Sequence, residues 1–247
     1  MRGLRAIILK EIQFFFTSPT GYIVGMIFLL GTGVFFTIDM GSPFPEASLT
    51  KFFVGIDFGA STFGGISLIL ILISPILTMR LISEEQKLGT IELLLTSPVR
   101  DWEIILGKFI ASFIFLMFMI AMTAYYPILL FIFGDPDPGP IYSGYLGIIL
   151  YGTLTLSIGL LTSTLTSNQI VAAVVAMGTL LILYFADYAS TMVTGFWATL
   201  IQELGIKSHF DDFHKGIIDS HDVVYFLTIT ILFVFLSIRI LESRRWR

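Results

Sequence analysis

Residues 80–103, RLISEEQKLGTIELLLTSPVRDWE, decide how this chain is read. They form a charged island between two apolar stretches, Thr62–Met79 and Ile104–Phe133, each long enough to cross about 30 Å of hydrocarbon. The island is therefore a loop at a membrane face. Ser83, with Gln86 three residues on, has the spacing of a capping box that opens a turn of helix. Gly89 breaks that turn, Thr90 is placed to cap a second one, and Pro98 stops it. Within the second turn lies Ile91-Glu92-Leu93-Leu94-Leu95, an apolar knob at a water-facing position. Leaving such a leucine exposed costs roughly 1–3 kcal/mol unless another surface covers it. A short capped helix with an apolar knob, held just outside a membrane, suits docking into another protein's groove. The other reading is that Leu93–Leu95 tuck under their own spans.

Composition sets the class. Hydrophobic residues make up 55% of the chain and charged residues 13%, against about a quarter charged in a soluble domain. Lipid is the main solvent, and the chain is read as an all-α integral membrane protein. Six spans follow from the apolar lengths: Gly21–Ile38, Thr62–Met79, Phe109–Phe133, Gly144–Thr166, Ile170–Ala186 and Val223–Leu241. An even number puts both termini on one side. With the N-terminus inside, 11 basic residues lie in inner segments and 3 (Lys51, Lys207, Lys215) in outer ones. That asymmetry places both termini and the island in the cytoplasm. A formal charge of −4 gives no sign of nucleic-acid binding, and the absence of cysteine excludes disulfides and thiolate metal sites. No signal-peptide cleavage pattern follows the first span.

The chain is expected to be a single transmembrane domain over 1–247, with three parts outside the spans. Residues 1–18 place Leu4, Ile8, Ile12 and Phe15 on one helical face, an amphipathic interfacial helix that Pro19 ends. It either anchors the chain or docks on a neighbour. Residues 80–103 are the cytoplasmic loop. Residues 187–222 mix apolar and polar runs, as short helices dipping partway into the membrane would. Asp135-Pro136-Asp137-Pro138-Gly139-Pro140 reads as a tight extended turn. Ser167-Asn168-Gln169 is a minimal connection that makes spans four and five an antiparallel hairpin. Pro75 and Pro127 are positioned to kink spans two and three. Gly144, Gly147, Gly152 and Gly159 allow close helix approach in span four.

The chemistry of enzymes is not written in this sequence. The Gly107-Lys108 pair lacks the upstream glycine of a phosphate-binding loop (Trp102 stands there) and the following Ser or Thr. All three histidines, 209, 214 and 221, lie in the last outer segment with Asp211, Asp212, Asp219 and Asp222. Their spacing matches no zinc pattern, so they read as a polar loop and not a metal site. Span interiors hold almost no ionisable group, which argues against an ion-coupled carrier. The polar groups there are hydroxyls, Asn168 at a span edge, and Tyr125, Tyr126, Tyr151 and Tyr184.

The stretch Arg80–Phe109, RLISEEQKLGTIELLLTSPVRDWEIILGKF, resembles the signature region of ABC-2-type permeases, in the branch of the gliding-motility-associated and nitrous-oxide-reductase-maturation permeases. Lys10–Phe36, Asn168–Ala173 and Phe213–Leu227 resemble the family's N-terminal region, fifth-span start and approach to the last span. The pattern departs at Ser220-His221. The resemblance implies an ABC-2 permease fold with six transmembrane helices, an N-terminal interfacial helix, a cytoplasmic coupling helix and an outer re-entrant segment between spans five and six. It implies an exporter permease of a bacterial inner membrane, paired with a second copy or a paralogue and resting on a separate ABC ATPase subunit that binds ATP and Mg2+. No cofactor is implied in this chain. Carried over by position, Glu84, Glu85, Gly89, Thr90, Glu92, Leu93, Leu94, Thr96 and Pro98 would couple to the ATPase, the carboxylates meeting its basic residues. Phe213, Gly216, Asp219 and Asp222 would form an outer gate. Three other readings stay open: a permease-like machine working mechanically on a periplasmic-domain membrane protein, an ATP-independent carrier, and a structural scaffold.

Overall fold

A computed structural model describes residues 2–40, 49, 52–53, 55–58, 61–63, 65–92 and 99–244. Apart from two three-residue strands, the regular elements among the described residues are helices. They run α1 (Arg2–Thr17), α2 (Pro19–Met40), β1 (Ile56–Phe58), β2 (Ser61–Phe63), α3 (Gly65–Thr78), α4 (Ser83–Lys87), α5 (Asp101–Thr123), α6 (Tyr125–Phe133), α7 (Pro138–Leu165), α8 (Gln169–Ser190), α9 (Phe196–Leu204), α10 (Ile206–His214) and α11 (Ser220–Arg244). Six segments, Pro19–Ile38, Gly65–Lys87, Asp101–Phe133, Pro138–Leu165, Gln169–Ser190 and Ser220–Ser243, are long and apolar enough to cross a membrane. The six expected spans are all present, with shifted ends.

Each shift has a local cause. Thr62 lies in β2, which pairs antiparallel with β1, so the second span begins only at Gly65. The third begins at Asp101 and not Phe109, because Glu103 accepts the Arg100 backbone N–H at 3.1 Å and starts the helix inside the island. The fourth begins at Pro138: Asp137 accepts the Gly139 N–H at 3.0 Å and Pro138 occupies the first helical position. The expected extended turn is thus half helix.

Of the two prolines expected to kink their spans, Pro127 stands at a break. Pro75 lies inside α3. Pro127 has no N–H to give the Thr123 carbonyl four residues back, and the third span breaks there, at Ala124. The Tyr145 hydroxyl donates to that carbonyl instead, at 2.9 Å.

The packing is centred on α7, which touches α3, α4, α5, α8, α10 and α11. Some 72% of the hydrophobic window is buried in both the α3 and α7 spans, against 22% in those of α8 and α11. The expected glycine stripe serves this centre. Phe53 lies over Gly144, Phe213 over Gly147, Leu116 over Gly152 and Thr78 over Gly159. Spans four and five form the expected hairpin, with Asn168 Oδ1 accepting the N–H of Ile170 (3.0 Å) and Val171 (3.4 Å) to start α8.

Candidate functional site

The island of residues 80–92 is fastened from three sides. Between α3 and α4 the backbone turns, leaving polar groups that the end of α7 satisfies. Ser163 Oγ accepts the N–H groups of Ile82 and Ser83, both at 3.1 Å, and lies 3.1 Å from the Met79 carbonyl. Gln86 Nε2 donates to the Thr164 carbonyl at 3.0 Å. The capping box expected from Ser83 and Gln86 does not form. Ser83 is already inside the helix, and its hydroxyl donates back to the Met79 carbonyl. Both side chains are used to join α4 to its neighbours.

The second fastening is ionic. Lys108, on the second turn of α5, donates to Glu11 Oε1 of α1 at 2.8 Å and to Glu85 Oε1 of α4 at 2.9 Å. The lysine side chain is only 3% exposed, so the pairing is screened little by water. Sequence reading missed this centre: Lys108 stands in an apolar helical run, and its partners lie 97 and 23 residues away. An unmatched lysine next to a span was the available signal.

The third fastening is Arg80. Its guanidinium lies 3.7 Å from the centre of the Phe14 ring, donates to Thr20 Oγ1 at 2.5 Å and lies 3.4 Å from Glu84 Oε2. It joins the α1–α2 junction to α4. At that junction Ser18 Oγ accepts the Gly21 N–H and Pro19 opens α2, while a side chain at Gly21 would run into the Phe15 carbonyl.

The N-terminal helix therefore docks on its neighbours as well as being amphipathic. Phe15 stacks on Phe115 at 5.0 Å, Leu4 and Ile7 close over Gly107, Ile12 is half-buried against the core, and Ile8 is half-buried.

What projects is the tip. Gly89, at φ +70, ends α4 in a conformation that side chains resist, and residues 87–90 are exposed, Leu88 to 67%. The Thr90 hydroxyl donates to the Glu85 carbonyl at 3.4 Å, and the second turn it is expected to cap starts at Ile91 and runs out of the described residues. Glu92 is exposed, Glu84 is half-buried beside Arg80, and Glu85 faces inward to Lys108. Leu93, Leu94, Thr96 and Pro98 lie outside the described residues.

At the far end of the spans, α9 and α10 form the short helices expected of 187–222. Asp187 Oδ2 accepts the Ser208 N–H at 2.9 Å, so the end of α8 caps α10. The residues expected at an outer gate have structural partners. Phe213 is buried against α7 and Phe226, Gly216 turns the chain at φ +88, Asp219 accepts the His221 N–H at 3.0 Å, and Asp222 meets His209 at 2.7 Å. Tyr151 and Tyr184 are fully buried, whereas Tyr125 is exposed and Tyr126 donates to the Leu29 carbonyl at 3.3 Å.

Asp211 and His214 make opposite demands on α10. Burial pushes the Asp211 carboxyl up to about 6, with Asp187 and Asp212 adding to the shift and Lys207 and Lys215 opposing it. Burial pushes the His214 imidazole down to about 4, with Lys215 and Lys207 adding and Asp212 opposing. Asp211 binds its proton more tightly in the folded chain than in the unfolded one, so acidification from about pH 6 to 4 stabilises α10 through it. His214 binds its proton less tightly when folded, so acidification from pH 6.5 to about 4 destabilises α10 through it. The two effects offset each other. Asp211→Asn is expected to leave α10 acid-labile and His214→Gln to leave it acid-stabilised, read from hydrogen exchange of α10 amides corrected for intrinsic rate. The same pH trend in both variants would refute the assignment.

A family model described as ABC-2 family transporter protein matches residues 5–244. Two curated relatives, each named "Probable multidrug ABC transporter permease YbhS", come from Escherichia coli (strain K12) and Escherichia coli O157:H7. Each is 33% identical to this chain over 133 residues, covering 54% of this chain and 33% of the relative. The match thus spans about a third of the length of these relatives.

Proposed function

The chain belongs to the ABC-2 transporter family, and from that premise we propose that it is the membrane-spanning permease subunit of an ATP-driven exporter. It is a multi-pass membrane protein. In this reading the island lies in the cytoplasm with both termini. Two permeases, identical or paralogous, enclose the pathway, and each rests on a separate ABC ATPase subunit that holds ATP and Mg2+. The basic residues concentrated at the island's end support that orientation.

The single observation that carries the coupling role is the contrast between the island's base and its tip. Ser163, Lys108 and Arg80 fix α4 to α7, α5 and α1, while Lys87-Leu88-Gly89-Thr90 project with an exposed leucine. A lever needs this combination. A partner that grips the tip moves α1, α4 and α5 together, and rigid spans carry the shift to the pathway between permeases. The chain supplies the lever and pathway; its partner supplies the hydrolysis.

The test is affinity purification of the tagged chain from its host membranes in mild detergent, with mass spectrometry and an ATPase assay. It runs beside Leu88→Asp and a Leu93→Asp/Leu94→Asp double variant. Wild type is expected to carry a nucleotide-binding subunit and ATPase activity, both reduced at least tenfold in the variants. Equal ATPase recovery in all three preparations would remove the island from the coupling role, and none in any would remove the exporter reading.

A further inference from the structure

His209 of α10 and His221 and Asp222 of α11 bring three ligand atoms within 4.8 Å of one another. His209 Nδ1 is 2.7 Å, and His221 Nδ1 3.7 Å, from the same oxygen, Asp222 Oδ1. The opposite ring nitrogens also share a neighbour. His209 Nε2 is 3.4 Å from the Glu203 carbonyl oxygen, and His221 Nε2 is 3.7 Å from Glu203 Oε2. A proton on each Nε2 faces these oxygens, and that tautomer leaves a lone pair on each Nδ1. Two imidazole lone pairs and a carboxylate oxygen then converge on one point. With the proton on His209 Nδ1 instead, the 2.7 Å contact is a hydrogen bond to Asp222, and His221 Nδ1 stays open to water. Such a proton satisfies His209 and Asp222 alone, whereas a divalent metal in its place engages all three atoms.

We propose that His209, His221 and Asp222 form a divalent transition-metal site that joins α10 to the first turn of α11, with Glu203 orienting both imidazoles from behind. Two neutral imidazoles and one carboxylate select Zn2+ or a similar ion over Mg2+ or Ca2+, which prefer all-oxygen sites. A histidine ligand that gives its other N–H to a carboxylate or carbonyl is the usual outer arrangement of such sites. At ligand bonds of about 2.0–2.2 Å the donor atoms must sit roughly 3.3 Å apart, which small side-chain rotations reach from the present spacing. Asp222 is buried and the Tyr225 ring stacks on His209 at 3.9 Å, so two ligands are held in place. His221 is 62% exposed, which leaves a path for the ion and room for a water as fourth ligand. The sequence hid this site because its ligands lie 12 and 13 positions apart, on two helices joined by the turn at Gly216 and both packed on α7.

The test uses the full chain, purified in detergent, freed of any tag and stripped with a chelator. Calorimetric titration with Zn2+ is expected to give one ion per chain, and Co2+ a visible tetrahedral absorption band. His221→Gln changes an exposed position, so the metal-free protein is expected to unfold at the wild-type temperature. Its zinc affinity is expected to fall at least tenfold, with loss of the cobalt band and of zinc-induced thermal stabilisation. Zinc binding by this variant as tight as wild type, or no saturable binding by the wild type, would overturn the proposal.

Discussion

Lys108→Met is expected to be the most damaging single change at the end of the molecule that carries the island. The substitution keeps the length and apolar stem of the side chain while removing its charge. Glu11 and Glu85 would then face each other across a site where the lysine was 3% exposed, with no cation between them. Breaking a buried ion pair by removing one partner costs about 3–5 kcal/mol, because the remaining charge stays desolvated. Here two carboxylates remain. Thermal unfolding in detergent is expected to shift down by on the order of 10 °C. The triple variant Glu11→Gln/Glu85→Gln/Lys108→Met removes all three charges and is expected to recover much of the loss. A Lys108→Met protein as stable as wild type would mean that the ionic fastening contributes little. If stability recovers in the triple variant but transport does not, the charges themselves serve coupling.

Gly159→Val is expected to have the second largest effect, through volume and not charge. A Cβ at this position would fall on the Thr78 hydroxyl. That hydroxyl cannot simply turn away, because it donates to the Ser74 carbonyl at 2.7 Å in a fully buried place. The central helices α3 and α7 must separate, or Thr78 must give up its bond. Overpacking of this kind costs roughly 1–3 kcal/mol, occasionally more. Gly178→Val supplies the comparison: it lies on α8, where an added Cβ meets nothing within 4 Å. The two variants carry the same chemistry in helices of the same protein. A similar fall in folded yield and unfolding temperature for both would show that helix propensity, and not the contact with Thr78, sets the cost.

The spans were legible because a bilayer imposes a length and a composition that nothing else in the chain imitates. Span ends were less so. Asp137 with Pro138, and Glu103 behind Arg100, are start signals that look like loop until a helix follows them. The island was legible as an island, and Gly89 as its break. Its fastening was not, since Ser163 and Lys108 act on residues 80 and 23 positions away, and only helix packing decides who meets whom. Ser83 illustrates the ambiguity. A serine before two glutamates suits a cap, but tertiary packing placed it one residue inside the helix and used its N–H for α7. The amphipathic reading of α1 found the apolar face and passed over Glu11, which lies along the same face and meets Lys108.

The Lys108 centre also imposes an order on biosynthesis. Glu11 and Glu85 both precede their lysine in the chain, Glu11 by 97 residues. At about 5–20 residues per second, α1 leaves the ribosome roughly 5–20 s before the residue that secures it. For that interval its surface is the lipid interface, and its amphipathic character keeps it there. Membrane-inserted nascent chains arrested before Lys108 should leave α1 open to protease, and those extended past α5 should protect it.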